Sequence, residues 1–392
     1  MIEAADRIKQ LPRYLFAEID KKIREAKSKG VDVIKLGIGD PDTPTPDYII
    51  ERMLLEVKNT KNHCYPPDEG LEEFKIAVAE YYKERHNVEL NGPTEVLPLI
   101  GSKEGIAHIH FAFVNPGDYN LVPDPGYPVY GIGTLFAGGE VYRMPLLEEN
   151  SYFPVLSDIP EDIAKKAKLL FLNYPNNPTG AVASEEFFLS VVEFAKKHNI
   201  LVCHDNAYSE LAYDNYRPIS FLEVEGAKDV GIEFNSLSKT FNMTGWRIGY
   251  AVGNAQALEV LSRFKTNVDS GFFQAIQYTG VEALRNPARN EFIKNLQKMY
   301  EERRDVVVSA LKDMGWEIET PKASFYVWAP VLEGYSSQEF VSMVLEKTGV
   351  VITPGNGFGE HGEGYFRIAL TVEKERMKEA MSRLSKIVSF KG

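Results

Sequence analysis

Four short stretches of this chain carry residues whose types suit one kind of chemistry. Gly101-Ser102-Lys103 follows an apolar run, and Asn173-Tyr174-Pro175-Asn176-Asn177-Pro178-Thr179-Gly180 follows another. Asp205 closes a third run, with Tyr208 three residues on. Asn235-Ser236-Leu237-Ser238-Lys239 follows a fourth, with Arg247 eight residues beyond Lys239. The hydroxyls of Ser102, Ser236 and Ser238, the Arg247 guanidinium and the N–H groups of a helix start would make a phosphate cradle. A helix dipole contributes only ~0.3–1 kcal/mol per charge, so the arginine and the hydroxyls must supply much of the hold. A lysine beside that phosphate can form an imine with an aldehyde. A buried carboxylate can keep a pyridine nitrogen protonated and make the ring an electron sink. Phosphate, aldehyde and pyridinium together describe pyridoxal 5′-phosphate. Singly, each feature has a plainer reading: a solvated lysine, a helix-capping aspartate, a turn at Asn-Asn-Pro-Thr-Gly. Their joint placement carries the inference.

That placement needs elements that bring the four stretches to one edge. The apolar pattern predicts strands over 96–100, 119–122, 141–144, 168–172, 200–204 and 230–234. Helical periods fall between several of them, at 72–85, 103–114 and 185–198. Short apolar strands separated by helices imply a largely parallel sheet covered on both faces. In such α/β sheets ligands bind outside the carboxyl ends of the strands, where the four stretches lie. After about position 285 the pattern changes. A long charged helix over 290–314 precedes strands at 325–329, 350–353 and 365–370 and helices at 337–347 and 374–388. This predicts a smaller α+β domain. The expected division is an N-terminal arm with part of the small domain (1–45), a large cofactor domain (46–285) and a small C-terminal domain (286–392).

The 392 residues carry 44 Lys plus Arg against 56 Asp plus Glu, a net charge of −12. That balance argues against a general nucleic-acid binder, which would show a basic face. Neither Cys64 nor Cys203 lies in a metal-ligand spacing, and Cys203 sits in an apolar run as a core residue. No metal site is expected. His108 and His110 are two apart on a helix and diverge. No apolar run marks a secretory signal at positions 1–7, and none approaches the ~20 residues of a membrane span. A cytoplasmic protein is expected. No GxGxxG or Walker motif is present. Ser236-Leu-Ser-Lys239 also satisfies S-x-x-K of acyl-enzyme hydrolases, but its companion look-alikes are misplaced: Tyr213 precedes Ser236, and Lys347-Thr-Gly349 closes a helix.

The run Ser236-Leu-Ser-Lys239-Thr-Phe-Asn-Met-Thr-Gly-Trp-Arg247-Ile-Gly-Tyr resembles the lysine signature of class I aminotransferases of PLP fold type I. The stretches around Asn177 and Asp205-Asn-Ala-Tyr208 are similar to that family's other cofactor motifs, in the expected order. The resemblance covers essentially the whole chain and implies an aspartate-aminotransferase-like α/β fold. Within the family, Tyr208-Ser-Glu-Leu-Ala-Tyr-Asp-Asn and Lys265-Thr-Asn267-Val-Asp-Ser-Gly-Phe-Phe-Gln-Ala-Ile-Gln resemble the LL-diaminopimelate aminotransferases most. A broad aspartate, alanine or aromatic aminotransferase is the alternative, with a fold-type I lyase behind it.

The resemblance also implies roles. Lys239 bonds the cofactor's aldehyde and moves the proton between Cα and C4′. Asp205 pairs with the pyridinium, while Tyr208 and Asn177 bind the ring's phenolic oxygen. Tyr127 stacks on the ring. Ser102, Lys103, Ser236, Ser238 and Arg247 surround the phosphate. Tyr65 reaches the neighbouring subunit's phosphate, so a homodimer with shared active sites is expected. Arg367 binds the substrate α-carboxylate, which suits a bidentate arginine, and Gly39 approaches the same group. Tyr14 and Asn267 are further substrate-pocket carry-overs, and Lys103, Tyr127 and Asn177 also border that pocket. The implied pair is LL-diaminopimelate with 2-oxoglutarate. Asp68 or Glu69, beside Tyr65, is then placed to meet the distal ammonium across the interface.

Overall fold

A computed structural model describes residues 2–11, 15–28 and 30–388. Tyr14 lies outside the described residues. The strands order as Val96–Leu99, Gly249–Gly253, Gly231–Ser236, Leu201–Asp205, Ala167–Leu172, Tyr119–Asp124 and Glu140–Pro145 in one seven-stranded sheet. Neighbours are parallel except at Gly249–Gly253, which runs antiparallel to both of its partners. Side chains alternate between two cores, as a strand's two-residue period demands. Leu170, Leu172 and Val202 join Phe74, Tyr82 and Phe188 on one face. Leu169, Phe171 and Cys203 join Ile106, Ile109 and Phe234 on the other. Burial on both faces explains why these strands read as unbroken apolar runs.

Six sheet strands stand where the sequence predicts them. The seventh, Gly249–Gly253, has glycines at both ends that read as breaks rather than as a strand. The helices Glu72–His86, Ser102–Phe113 and Glu185–His198 cover the predicted periods within a residue.

A second, antiparallel sheet orders Thr353–Pro354, Tyr365–Ala369 and Tyr326–Pro330. The predicted strand at 350–353 is divided. Val350–Val351 pairs in parallel with Ile34–Lys35, whereas Thr353–Pro354 joins the antiparallel sheet. Helices Arg289–Asp313, Ser337–Thr348 and Lys374–Ser385 pack with these strands around Tyr300, Phe325, Phe340 and Phe366. That core also takes in Ala207, Tyr208 and Leu211, which directly follow Asp205. The large sheet's carboxyl edge therefore continues into the second core. Among the described residues no helix is long and apolar enough to cross a membrane.

Candidate active site

The strand Gly249–Gly253 assembles the cradle. Gly249 stands opposite Leu99 on one side and Ser236 on the other. Residues 101–103 and 236–239, which leave those two neighbours, therefore emerge side by side. Gly101 has φ +75°, and a Cβ there would run into the Arg247 guanidinium. The two groups thus meet at a point where only glycine fits. Arg247 itself sits at φ 53° and donates from Nη1 to the Thr244 carbonyl at 2.7 Å. Ser236 caps the short helix Leu237–Thr240, its Oγ accepting the Ser238 N–H at 3.2 Å. Ser102 opens the helix Ser102–Phe113, whose first turn presents free N–H groups. Lys103 lies with its Nζ 5.8 Å from the centre of the Tyr127 ring.

Asp205 is buried, and its Oδ2 accepts the Tyr130 hydroxyl at 2.8 Å. Its Oδ1 is buried with no hydrogen-bond partner. Burial raises the carboxyl to about 6, against the hydrogen bond from Tyr130, the charge of His204, the nearby Ala207 N–H and the charge of Lys239. An acceptor left bare at the floor of a polar cluster is costly unless something donates to it. A protonated ring nitrogen is such a donor. Tyr127 packs edge-on against Tyr130, with ring centres 5.9 Å apart.

Lys239 Nζ donates to the Gly39 carbonyl at 2.7 Å and stands 5.4 Å from the Phe325 ring centre. Burial, helped by the nearby charges of Arg367 and Arg247, lowers its pKa to about 8 even though Asp40 opposes the shift. A neutral amine is therefore accessible near neutral pH, as a nucleophile and proton carrier requires. Gly39 is pressed close to Tyr326 and Phe325, leaving no room for a side chain.

Arg367 is buried, at 3% exposure. Nη1 donates to Asn177 Oδ1 at 2.6 Å and Nη2 to the Gly37 carbonyl at 2.8 Å. Its guanidinium lies 4.1 Å from the Tyr326 ring centre and 4.6 Å from that of Phe358. Nε is buried without a partner, and no carboxylate among the described residues pairs with the group. Buried arginines are ordinarily paired, so this one is set up for an anion from outside. Tyr208 completes the cluster, its hydroxyl 3.2 Å from that of Tyr326.

Some predicted residues stand apart. Asn267 is exposed and donates to the Arg263 carbonyl at 2.7 Å. Tyr65 is 85% exposed, Asp68 is exposed, and Glu69 Oε2 lies 3.7 Å from Lys75 Nζ. His108 and His110 diverge as expected. His108 faces Glu104, and His110 is buried beside Asn120 and Thr134. Glu104, His108 and Asp269 stand close enough to suggest metal ligands, but Lys265 Nζ already occupies the cluster at 2.7 Å from Asp269 Oδ1 and 3.5 Å from Glu104 Oε1.

Sequence reasoning missed Tyr130, Tyr326 and Phe358. Tyr130 carried a signal, because it lies in the first turn of the helix Val129–Ala137, three residues after Tyr127. Tyr326 and Phe358 reach the site only through the second sheet and its following loop, and no spacing to Lys239 marks them.

The model of the aminotransferase class I and II family matches residues 31–384. The LL-diaminopimelate aminotransferase of Moorella thermoacetica is 58% identical over 387 residues, covering 99% of both chains. That of Halothermothrix orenii is 58% identical over 383 residues, covering 98% of both. Among solved structures, substrate-bound BacF from Bacillus subtilis superposes with a TM-score of 0.95 at 40% identity over 100% of both chains. A double mutant of Thermus thermophilus aspartate aminotransferase gives 0.92 at 26% identity over 99% of this chain and 100% of that one. A buried amine, an unmatched arginine and a bare carboxyl oxygen on the aspartate-aminotransferase-like fold agree with these likenesses: the chain belongs to the class I and II aminotransferase family.

Proposed function

We propose that this aminotransferase uses pyridoxal 5′-phosphate to exchange an amino group between LL-diaminopimelate and 2-oxoglutarate. In the synthetic direction it makes LL-diaminopimelate from tetrahydrodipicolinate and glutamate, a step of lysine synthesis in the cytoplasm. The observation that carries the reaction class is Arg367, a buried arginine without a carboxylate, in the same cluster as a buried amine and a bare aspartate oxygen. The choice of substrate rests on the relatives named above.

The residues present fit the cofactor, which supplies an aldehyde for amines and a ring that accepts electrons. Asp205 Oδ1 is free to accept from the ring nitrogen, and Tyr130 keeps Oδ2 in place. Ser102, Ser236, Ser238 and Arg247, with Lys103 nearby, offer the donors for its phosphate. Tyr208 and Asn177 hold the phenolic oxygen, and Tyr127 offers its ring for stacking. Arg367 and the backbone around Gly37 and Gly39 hold the substrate α-carboxylate. The carboxylate replaces the Asn177 and Gly37 oxygens as the stronger, charge-assisted partner of the guanidinium. Lys239, as a neutral amine, would take the Cα proton of the bound amino acid and deliver it beyond the amino nitrogen, to the carbon that nitrogen joins. The amino group would stay with the cofactor while water supplies the oxygen of the released oxo acid, and a second oxo acid would take that amino group up, giving ping-pong kinetics.

The working unit is a homodimer in which Tyr65 completes the neighbouring phosphate site. Residues 46–285 form the cofactor domain and 286–392, with part of 1–45, the small one. A panel of amino donors against 2-oxoglutarate tests the substrate, with LL- and meso-diaminopimelate, aspartate, alanine and phenylalanine compared by kcat/KM. LL-diaminopimelate is expected to lead. A preference for aspartate or phenylalanine would reject the assignment and leave a broad aminotransferase.

A further inference from the structure

One buried carboxylate holds both neighbours of Asp205. Glu233 belongs to the strand Gly231–Ser236, beside the strand that ends at Asp205, and has no exposure. Its Oε2 lies 2.9 Å from His204 Nδ1, and its Oε1 accepts Asn206 Nδ2–H at 2.8 Å. Three further donors converge on it. The Tyr82 hydroxyl reaches Oε1 at 2.6 Å, Ser220 Oγ reaches both oxygens at 2.9 and 3.1 Å, and the Phe221 N–H reaches Oε2 at 3.0 Å. Burial alone would raise the pKa of this acid. The hydrogen bond and charge of His204, the charge of His86 and the hydroxyl of Tyr82 instead hold it at about 2. His204 Nε2 lies 3.0 Å from the Tyr174 carbonyl and 3.3 Å from the Tyr174 N–H. Nδ1 thus faces the Glu233 carboxylate and Nε2 the Tyr174 backbone, so the ring is held at both nitrogens.

A buried carboxylate is a poor way to stabilise a sheet, because an apolar side chain of like volume often serves as well or better. The location suggests another purpose. His204 and Asn206 bracket Asp205 in the chain, and strand alternation puts Asp205 on the face opposite His204. Tyr82 and His86 from the helix Glu72–His86 and Tyr250 from the neighbouring strand also face Glu233. On the other face, Tyr130, Tyr208 and Lys239 surround Asp205.

We propose that Glu233 is a positioning residue: through His204 and Asn206 it fixes the turn that carries Asp205, so that the Asp205 carboxylate stands aimed at the cofactor's ring nitrogen. This rests on the reading of Asp205 given above. The test titrates pyridoxal phosphate into the apo forms of the wild type, Glu233→Gln and Asn206→Ala. It follows cofactor absorbance across pH, with thermal unfolding measured alongside. Both variants are expected to lose about tenfold in cofactor affinity, the order of loss seen when an outer support of a bound group is removed. In both variants the absorbance of the bound cofactor also shifts, because the ring nitrogen no longer meets an aligned carboxylate, a signature that a merely looser fold does not give. Should Glu233→Gln fail to fold, Asn206→Ala leaves the contact between Glu233 and His204 intact and still tests the clamp. Variants that bind the cofactor like the wild type, with the same absorbance, overturn the proposal and leave Glu233 a fold-holding residue. A wild-type chain that takes up no pyridoxal phosphate overturns the cofactor reading itself, and this inference with it.

Discussion

At the scale of residues, burial tunes two groups in opposite senses. Lys239 is pushed down to about 8 from 10.5, and Asp205 up to about 6 from 3.8. Between about 8 and 10.5 the folded chain holds fewer protons on Lys239 than the unfolded chain, so this group adds stability as pH rises through that window. Asp205 behaves oppositely. Its contribution is full below 3.8 and is lost as pH climbs through about 6, until a cationic ligand compensates it. Binding a ring with a protonated nitrogen needs the ionised carboxylate, so cofactor affinity of the apo form should fall as pH drops through about 6. Asp205→Asn should bind weakly with no such pH dependence, and a titration of affinity against pH checks both. Arg367→Lys keeps a charge but loses the bidentate fork, so KM should rise about 10- to 100-fold for every amino donor and oxo acid alike. Steady-state kinetics with several donors read this directly, and a loss confined to one donor would place Arg367 elsewhere in the substrate. Lys239→Ala should cost about a thousandfold or more in turnover, on the order of a lost general acid–base.

At the scale of elements, the strand Gly249–Gly253 decides how the phosphate cradle forms. It separates two parallel neighbours and delivers Gly101-Ser102 and Ser236-Leu237-Ser238 to the same place. The residues it gathers were legible in the sequence because each follows an apolar run. The strand itself was not, since five residues with glycine ends give no period to read. The same limit applies to Tyr326 and Phe358. Their strand and loop were readable as elements, but only the packing of the second sheet onto the carboxyl edge of the first aims them at Arg367. Gly101 offers an element-level test. At φ +75° and ψ 154° its conformation is essentially confined to glycine, and an added methyl meets Arg247. Gly101→Ala should destabilise the fold by about 1–3 kcal/mol and weaken cofactor retention by displacing the arginine. Thermal unfolding with and without pyridoxal phosphate separates the two effects, because a purely structural lesion leaves the cofactor's stabilising increment intact.

At the scale of the whole molecule, the large sheet's edge and the core of the second sheet meet at the site. Lys239, Asp205 and Asn177 come from the large sheet's edge, whereas Arg367, Tyr326 and Gly39 come from the second sheet and the segment that packs beside it. This explains why a change of pattern near position 285 was visible in the sequence while the joint between the parts was not: periodicity reports which residues are buried, not which core they face. Tyr65 is 85% exposed, and the role proposed for it needs a second copy of the chain. Chains carrying Lys239→Ala and chains carrying Tyr65→Ala, each poorly active alone, should recover activity when unfolded and refolded together. One of the two sites in each mixed dimer then holds neither lesion, and no recovery would place Tyr65 outside its neighbour's site. The most direct test of the central claim is a half-reaction. The protein loaded with pyridoxal phosphate is given LL-diaminopimelate with no oxo acid, and its absorbance is followed. The account predicts that the yellow colour fades in proportion to the sites present, that 2-oxoglutarate restores it with release of glutamate, and that Lys239→Ala does neither. A protein whose colour is unchanged by LL-diaminopimelate, or changes only when both substrates are present, would contradict it.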